Sequence, residues 1–202
     1  MINLQKGQKI SLSKESQGLK DIMIGLGWDK AKQTKLGGLF SRRKPTNSID
    51  CDASAILLDN DGKCISNKDV IYFGNLKHSS GAVIHMGDNL TGEGVGDDEQ
   101  ILIHLQELNP IYDEIVFVVN IYKATEKCQN FGMIDNAFIR IVDISNGNKE
   151  ICKFNISSEP TYGNKTSMIF GKVYRHNGEW KFNAIGEGLT LNSISSIVNY
   201  FK

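Results

Sequence analysis

Short apolar runs broken by Gly, Asn and Asp recur along this chain, and their alternation predicts strands rather than helices. Ile22–Trp28 places apolar side chains at every second position. Further strands are predicted over Asp52–Leu58, Val70–Phe73, Ala137–Val142, Ile151–Ile156, Met168–Tyr174 and Trp180–Ile185. Glu114–Tyr122 is a continuous apolar run, the pattern of a central strand covered on both faces. Asp59-Asn60-Asp61-Gly62 and Asn177-Gly178 separate such runs, and the latter is a strong hairpin signal because both residues tolerate positive φ. Ser193–Phe201 alone reads as helical, with Ile194, Ile197, Val198 and Phe201 on one face. Many short strands joined by polar turns predict an all-β fold, a two-sheet β-sandwich with short helices, one of them near the C-terminus.

Composition adds little to this picture, and charge narrows it. The chain has 202 residues, enough for one domain over 1–202 with a core of its own. Lys plus Arg (23) balances Asp plus Glu (23), so no overall field draws nucleic acid or an acidic membrane. No apolar stretch approaches the roughly 20 residues that span a bilayer, and no secretory signal opens the chain, which makes a cytoplasmic location the expectation. Cys51, Cys64, Cys128 and Cys152 are scattered without a CxxC pair. That argues against structural zinc and for reduced thiols, mostly half-buried in strands.

Charge is segregated locally in two places. Lys30 to Ser48 carries six cations (Lys30, Lys32, Lys35, Arg42, Arg43, Lys44) and no acid, which marks a basic loop at about 30–48. A solvated loop is its plain reading, and a docking surface for phosphate or an acidic partner its sharper one. Gly87-Asp88-Asn89-Leu90-Thr91-Gly92-Glu93-Gly94-Val95-Gly96-Asp97-Asp98-Glu99 sets five carboxylates among four glycines. Calcium takes six to eight oxygens from carboxylates, amides and backbone carbonyls, and wrapping a chain around it needs glycine's freedom. Two carboxylates about 4 Å apart repel by roughly 4 kcal/mol at an effective dielectric near 20, so an ordered loop of this kind asks for a counter-ion. A solvated acidic turn is the competing reading.

Other motifs do not fit the loop. Glu93-Gly94 stands where a phosphate loop needs Lys-Ser/Thr, Asp97 occupies the third glycine of a dinucleotide fingerprint, and the spacing is not that of an EF-hand. Asp50 and Asp52 lead into the second strand, on one face by alternation, and a strand starting beside the glycine loop brings both to it. Asn75 offers a neutral oxygen, although an Asn there more often fixes a turn. No nucleophile elbow or metalloprotease helix motif is present, and the four histidines are scattered, which points away from an enzyme. His85 lies nearest the loop as a candidate base. Phe131, Phe138, Tyr174 and Trp180 read as core at strand spacing.

Several segments together resemble the TerD family, the bacterial tellurium-resistance and general-stress proteins. They are Gly25-Leu26-Gly27-Trp28-Asp29, Asp50-x-Asp52-Ala53-Ser54-Ala55, the whole of Gly87–Glu99, Gln129-Asn130-Phe131-Gly132, Asn136–Arg140 and Tyr174–Phe182. The resemblance spans nearly the whole chain in one order. It implies a calcium-binding β-sandwich of the chemical-stress response, a binding or scaffold module whose partners are other stress proteins, with membrane association through them. The calcium groups it implies are Asp50, Asp52, Asn75, Asp88, Asn89, Glu93, Asp97, Asp98 and Glu99, with the Leu90 carbonyl. A calcium-dependent hydrolase, or a protein binding a small nucleotide-like ligand, is the alternative. Two features depart from the family pattern: Gly74 stands where an Asn is common, and the basic loop is longer.

Overall fold

The computed structural model describes residues 1–30, 49–87, 96–156 and 160–202. In chain order its strands are β1 (Ile2–Leu4), β2 (Lys9–Ser11), β3 (Asp21–Lys30), β4 (Cys51–Leu58), β5 (Val70–Ile71) and β6 (Val83–His85). They continue as β7 (Glu99–His104), β8 (Glu114–Ile121), β9 (Ile134–Asp143), β10 (Lys149–Ile156), β11 (Ser167–His176) and β12 (Glu179–Leu189). Three short helices join them, α1 (Leu12–Glu15), α2 (Ala124–Lys127) and α3 (Ile194–Tyr200). The strands form two six-stranded sheets, ordered β1-β10-β9-β3-β7-β6 and β2-β12-β11-β8-β4-β5. The expected β-sandwich is what the chain builds.

Alternation explains which face each strand buries. Ile22, Ile24, Leu26 and Trp28 of β3 point between the sheets, where they meet Ala53, Ala55 and Leu57 of β4 and the fully buried Phe117, Phe170 and Phe182. The opposite faces of β4 and β8 carry a second apolar patch, with Ile56, Leu58, Val116 and Val118 packed under Ile197 and Val198 of α3. This second cover is why β8 reads as a nearly continuous apolar run. Ser193 caps α3 by accepting from the Ser196 N–H, which fixes where the helix starts over the sheet. The hairpin at Asn177-Gly178 takes positive φ at both residues (53° and 75°), as its sequence predicts.

Three details differ from the sequence reading. The three-residue strands β1, β2 and β6 are too short to stand out as periodic runs. β7 alternates cleanly, but it begins at Glu99, the last residue assigned above to the acidic loop. The strand predicted over Val70–Phe73 stops at Ile71, because Tyr72 and Asn75 exchange backbone hydrogen bonds and close a tight turn.

Truncating Ile197, fully buried beneath α3, tests that helix as part of the fold. Ile197→Ala is expected to lower urea-measured stability by about 3 kcal/mol. A loss below about 0.5 kcal/mol would show that α3 is not packed on the sheet.

Candidate metal site at one end of the sandwich

β4 and β7 start at the same end of the molecule, and one side chain ties them together there. Glu99, 2% exposed, reaches across from its own sheet so that its Oε2 accepts the Ala53 N–H of β4 at 2.7 Å. β5 pairs with β4 only at Ala55 and Ile56, so this N–H lies beyond the end of β5 and is satisfied by the carboxylate instead. Oε2 also meets His85 Nε2 at 3.2 Å. The Gly87 N–H donates to His85 Nδ1, which makes Nε2 the protonated nitrogen and the donor to Glu99. The His85 side chain is fully buried with both nitrogens engaged, so it is not placed as a base for a substrate.

The neighbouring acids are set by the backbone. A bulge between Gly27 and Asp29 breaks the β3–β9 register, and the Trp28 N–H there donates to Asp98 Oδ2 at 2.7 Å. Burial raises the Asp98 carboxyl above its ordinary pKa; that bond opposes the rise, and the charges of Asp29 and Asp97 add to it. Asp97 is occupied elsewhere. Its two oxygens accept from Arg140 Nε at 2.6 Å and Nη2 at 2.8 Å, a bidentate pair that also receives Gln100 Nε2 at 3.0 Å. The pair lies over Gly25, where any Cβ would overlap the Asp97 carboxylate. Asn75 donates through Nδ2 to the carbonyls of Val70 and Lys68, the turn-fixing role.

Asp52 lies on the outer face of β4, and Asp50 is the residue just before the strand. Asp52 lies opposite Asn120 of β8, whose Nδ2 donates to Asp52 Oδ2 at 3.4 Å. Asp50 Oδ2 is 3.5 Å from Lys127 Nζ, while its Oδ1 is buried with no hydrogen-bond donor among the described residues. The fully buried Cys51 thiol reports where these acids lie. Burial pushes its pKa far up, and Asp52, Glu99, Asp50 and Asp98 all push it further. Four of the expected acids therefore lie near enough to act on one thiol. Among the described residues they do not close into a group of three that could hold a metal ion. Asp88, Asn89, Leu90 and Glu93 lie outside the described residues, as does all of the basic loop except Lys30. Gly87 and Gly96 flank the segment 88–95 with positive φ (119° and 127°), conformations open to glycine.

Comparison with known proteins agrees with this architecture. The TerD domain matches residues 1–201. The chain belongs to the TerD family. It is 48% identical over 202 residues to stress response protein SCP2 of Bacillus subtilis (strain 168), covering 99% of this chain and 98% of that one. It is 41% identical over 187 residues to tellurium resistance protein TerD of Serratia marcescens, covering 93% and 90%. A crystal structure of a TerD homologue from Streptomyces coelicolor A3(2) superposes with a TM-score of 0.66 at 18% identity, over 92% of this chain and 99% of that one, and shows the shared fold. These relatives are named for resistance or stress, and no enzymatic activity is named among them.

The sequence reading missed Arg140, Asn120 and Ser54 as parts of this end. Asn120 had left a signal, as the one polar residue inside the apolar run of β8. The thiols differ from expectation: Cys51, Cys64 and Cys152 are buried and Cys128 is exposed. Of the four aromatics expected in the core only Phe131 is buried; Phe138, Tyr174 and Trp180 are half-buried. Phe138 stays out because it lies on the outer face of its sheet, under Lys153 Nζ at 3.8 Å from the ring centre.

Two measurements check this geometry. Gly25→Ala is expected to cost about 2 kcal/mol by displacing Asp97 from Arg140, whereas an unchanged denaturation midpoint would mean that the pair does not lie over Gly25. A thiol-reagent titration of native protein should label Cys128 alone, because burial raises the Cys152 thiol to about 12 and the Cys51 thiol well up. Rapid labelling that survives Cys128→Ser would contradict it.

Proposed function

We propose that this TerD-family chain is a calcium-binding protein of the tellurium-resistance and general chemical-stress response, a cytoplasmic binding or scaffold module working with other stress proteins. The names of its relatives support the physiological setting. The observation that carries the calcium reading is Asp50 Oδ1, a buried carboxylate oxygen with no donor among the described residues, in a neighbourhood shared by Asp52, Asp98 and Glu99. An unsatisfied buried acceptor is costly, and a cation at this end relieves both that cost and the mutual repulsion. The donors are hard oxygens, which suit calcium better than softer metals.

In this reading Asp50, Asp52, Asp98 and Glu99 hold the ion together with Asp88, Asn89, Glu93 and the Leu90 carbonyl. Asp97 instead fixes the approach of β7 through Arg140, and Asn75 fixes the turn after β5. Bound calcium supplies positive charge. The chain supplies the cage, and the glycines at 87 and 96 give the segment between them room to wrap.

Metal-stripped protein is expected to bind calcium in the micromolar range. At one hundred times the dissociation constant, binding adds about 2.7 kcal/mol to stability. Asp50→Asn combined with Asp98→Asn should weaken the affinity at least tenfold, and Asn75→Ala should leave it unchanged. No calorimetric heat from the wild type, or equal affinity in the double variant, would overturn the reading. Circular dichroism with chelator separates the roles: a module keeps its β spectrum and a scaffold loses it.

A further inference from the structure

On the outer face of the second sheet, beside the acidic end, lies a cleft of about 270 Å³. Its floor is polar where the neighbouring part of that face, under α3, is apolar. Asp52 and Ser54 of β4 and Asn120 of β8 line it, respectively 6%, 1% and 7% exposed. Alternation that sends Cys51, Ala53 and Ala55 into the core sends Asp52 and Ser54 here. Ser54 Oγ is buried with no hydrogen-bond partner among the described residues. An orphan hydroxyl on a covered sheet face destabilises the free protein, and Ala in its place would pack without that penalty.

Aromatic rings form one part of the wall, and Lys123, Glu126, Asn192 and Ser193 are among the residues that line the rest. Tyr72 and Phe73 form an edge-to-face pair with ring centres 5.2 Å apart, and Tyr122 stands at the rim. Phe73 and Tyr122 remain 46% and 41% exposed, unusual for large side chains with an adjoining cleft to fill. Gly74, the residue that departs from the family pattern, leaves room for the Tyr72 ring, which any side chain at 74 would strike.

We infer that this cleft binds a small polyol, a single ring bearing neighbouring hydroxyl groups. A carboxylate, a carboxamide and a hydroxyl on one floor offer both donors and acceptors, which suits hydroxyl groups that act as both. The faces of the aromatic rings carry negative charge density, and the C–H face of a sugar-like ring is complementary to it. The volume falls just below the range of drug-sized sites, which limits the ligand to about one ring. This inference goes beyond the calcium reading: the cleft shares Asp52 with the proposed cage, but Ser54 and Phe73, the positions varied below, belong to the cleft alone.

The test is a chemical-shift titration of the isotope-labelled full chain in calcium-containing buffer with myo-inositol, with D-glucose, and with cyclohexanol as a ring lacking neighbouring hydroxyls. The expected result is saturable shifts at the amides of Ser54, Asn120, Tyr72 and Phe73 for at least one polyol, in the millimolar range. Ser54→Ala should weaken binding about fivefold, the weight of one hydrogen bond, without lowering thermal stability. Phe73→Ala, at an exposed position, should weaken it comparably. Absence of saturable shifts with both polyols, equal shifts with cyclohexanol, or unchanged affinity in either variant would overturn the inference.

Discussion

The carboxylate of Glu99 holds the two sheets in register at the end where the acidic segment lies. It begins β7 in one sheet and accepts the Ala53 N–H of β4 in the other, at a point that β5 is too short to reach. A hydrogen bond to a buried charged acceptor contributes more than a neutral one, about 1.5–3 kcal/mol, and losing it would strand both groups. His85, locked between the Gly87 N–H and Glu99, sets the orientation of the carboxylate and ties it to the start of the acidic segment. The position of the acids follows from this link. Once β4 and β7 start side by side, Asp50, Asp52 and Asp98 come to the same end as Glu99.

The acids at this end do different work despite their common sequence neighbourhood. Asp97 is neutralised by the Arg140 fork in a space left open by Gly25, so its charge is spent on aligning β3, β7 and β9. Asp98 repairs the bulge in β3 by accepting the Trp28 N–H. Asp50 keeps a buried oxygen without a donor among the described residues. The surplus of negative charge is therefore concentrated where β4 begins. The same charges, added to burial, push the Cys51 thiol well above its ordinary pKa, which disfavours thiolate chemistry at this end.

Much of the sandwich was legible in the sequence because period-two alternation and turn residues act locally. The hairpin at Asn177-Gly178 and the buried run of β8 are examples. The three-residue edge strands β1, β2 and β6 were not, since three residues carry no period. β7 was missed as well, although it alternates, and its start was masked because Glu99 is acidic by composition but a strand residue by position. The sequence reading that Asp50–Asp52 and the end of the Gly87–Glu99 motif lie near one another agrees with Glu99 accepting the Ala53 N–H. Composition could not reveal that Asp97 has Arg140 as a partner 43 residues away. Nor could it show that Asn75 is tied to the backbone of its own turn. Those are long-range or geometric facts that spacing does not encode. The cleft over Asp52, Ser54 and Asn120 left one trace, the polar interruptions at 54 and 120 in otherwise apolar strands.

The central claim is that this end of the sandwich is a cation cage built from two segments, and the most direct measurement is crystallographic. Crystals of the full chain grown with calcium, with anomalous data collected on the ion, locate it without relying on any change in stability. The account predicts an anomalous peak at the start of β4, with Asp50 and oxygens of the 88–99 segment within calcium-bonding distance. A peak elsewhere, or none at calcium concentrations far above micromolar, would contradict it.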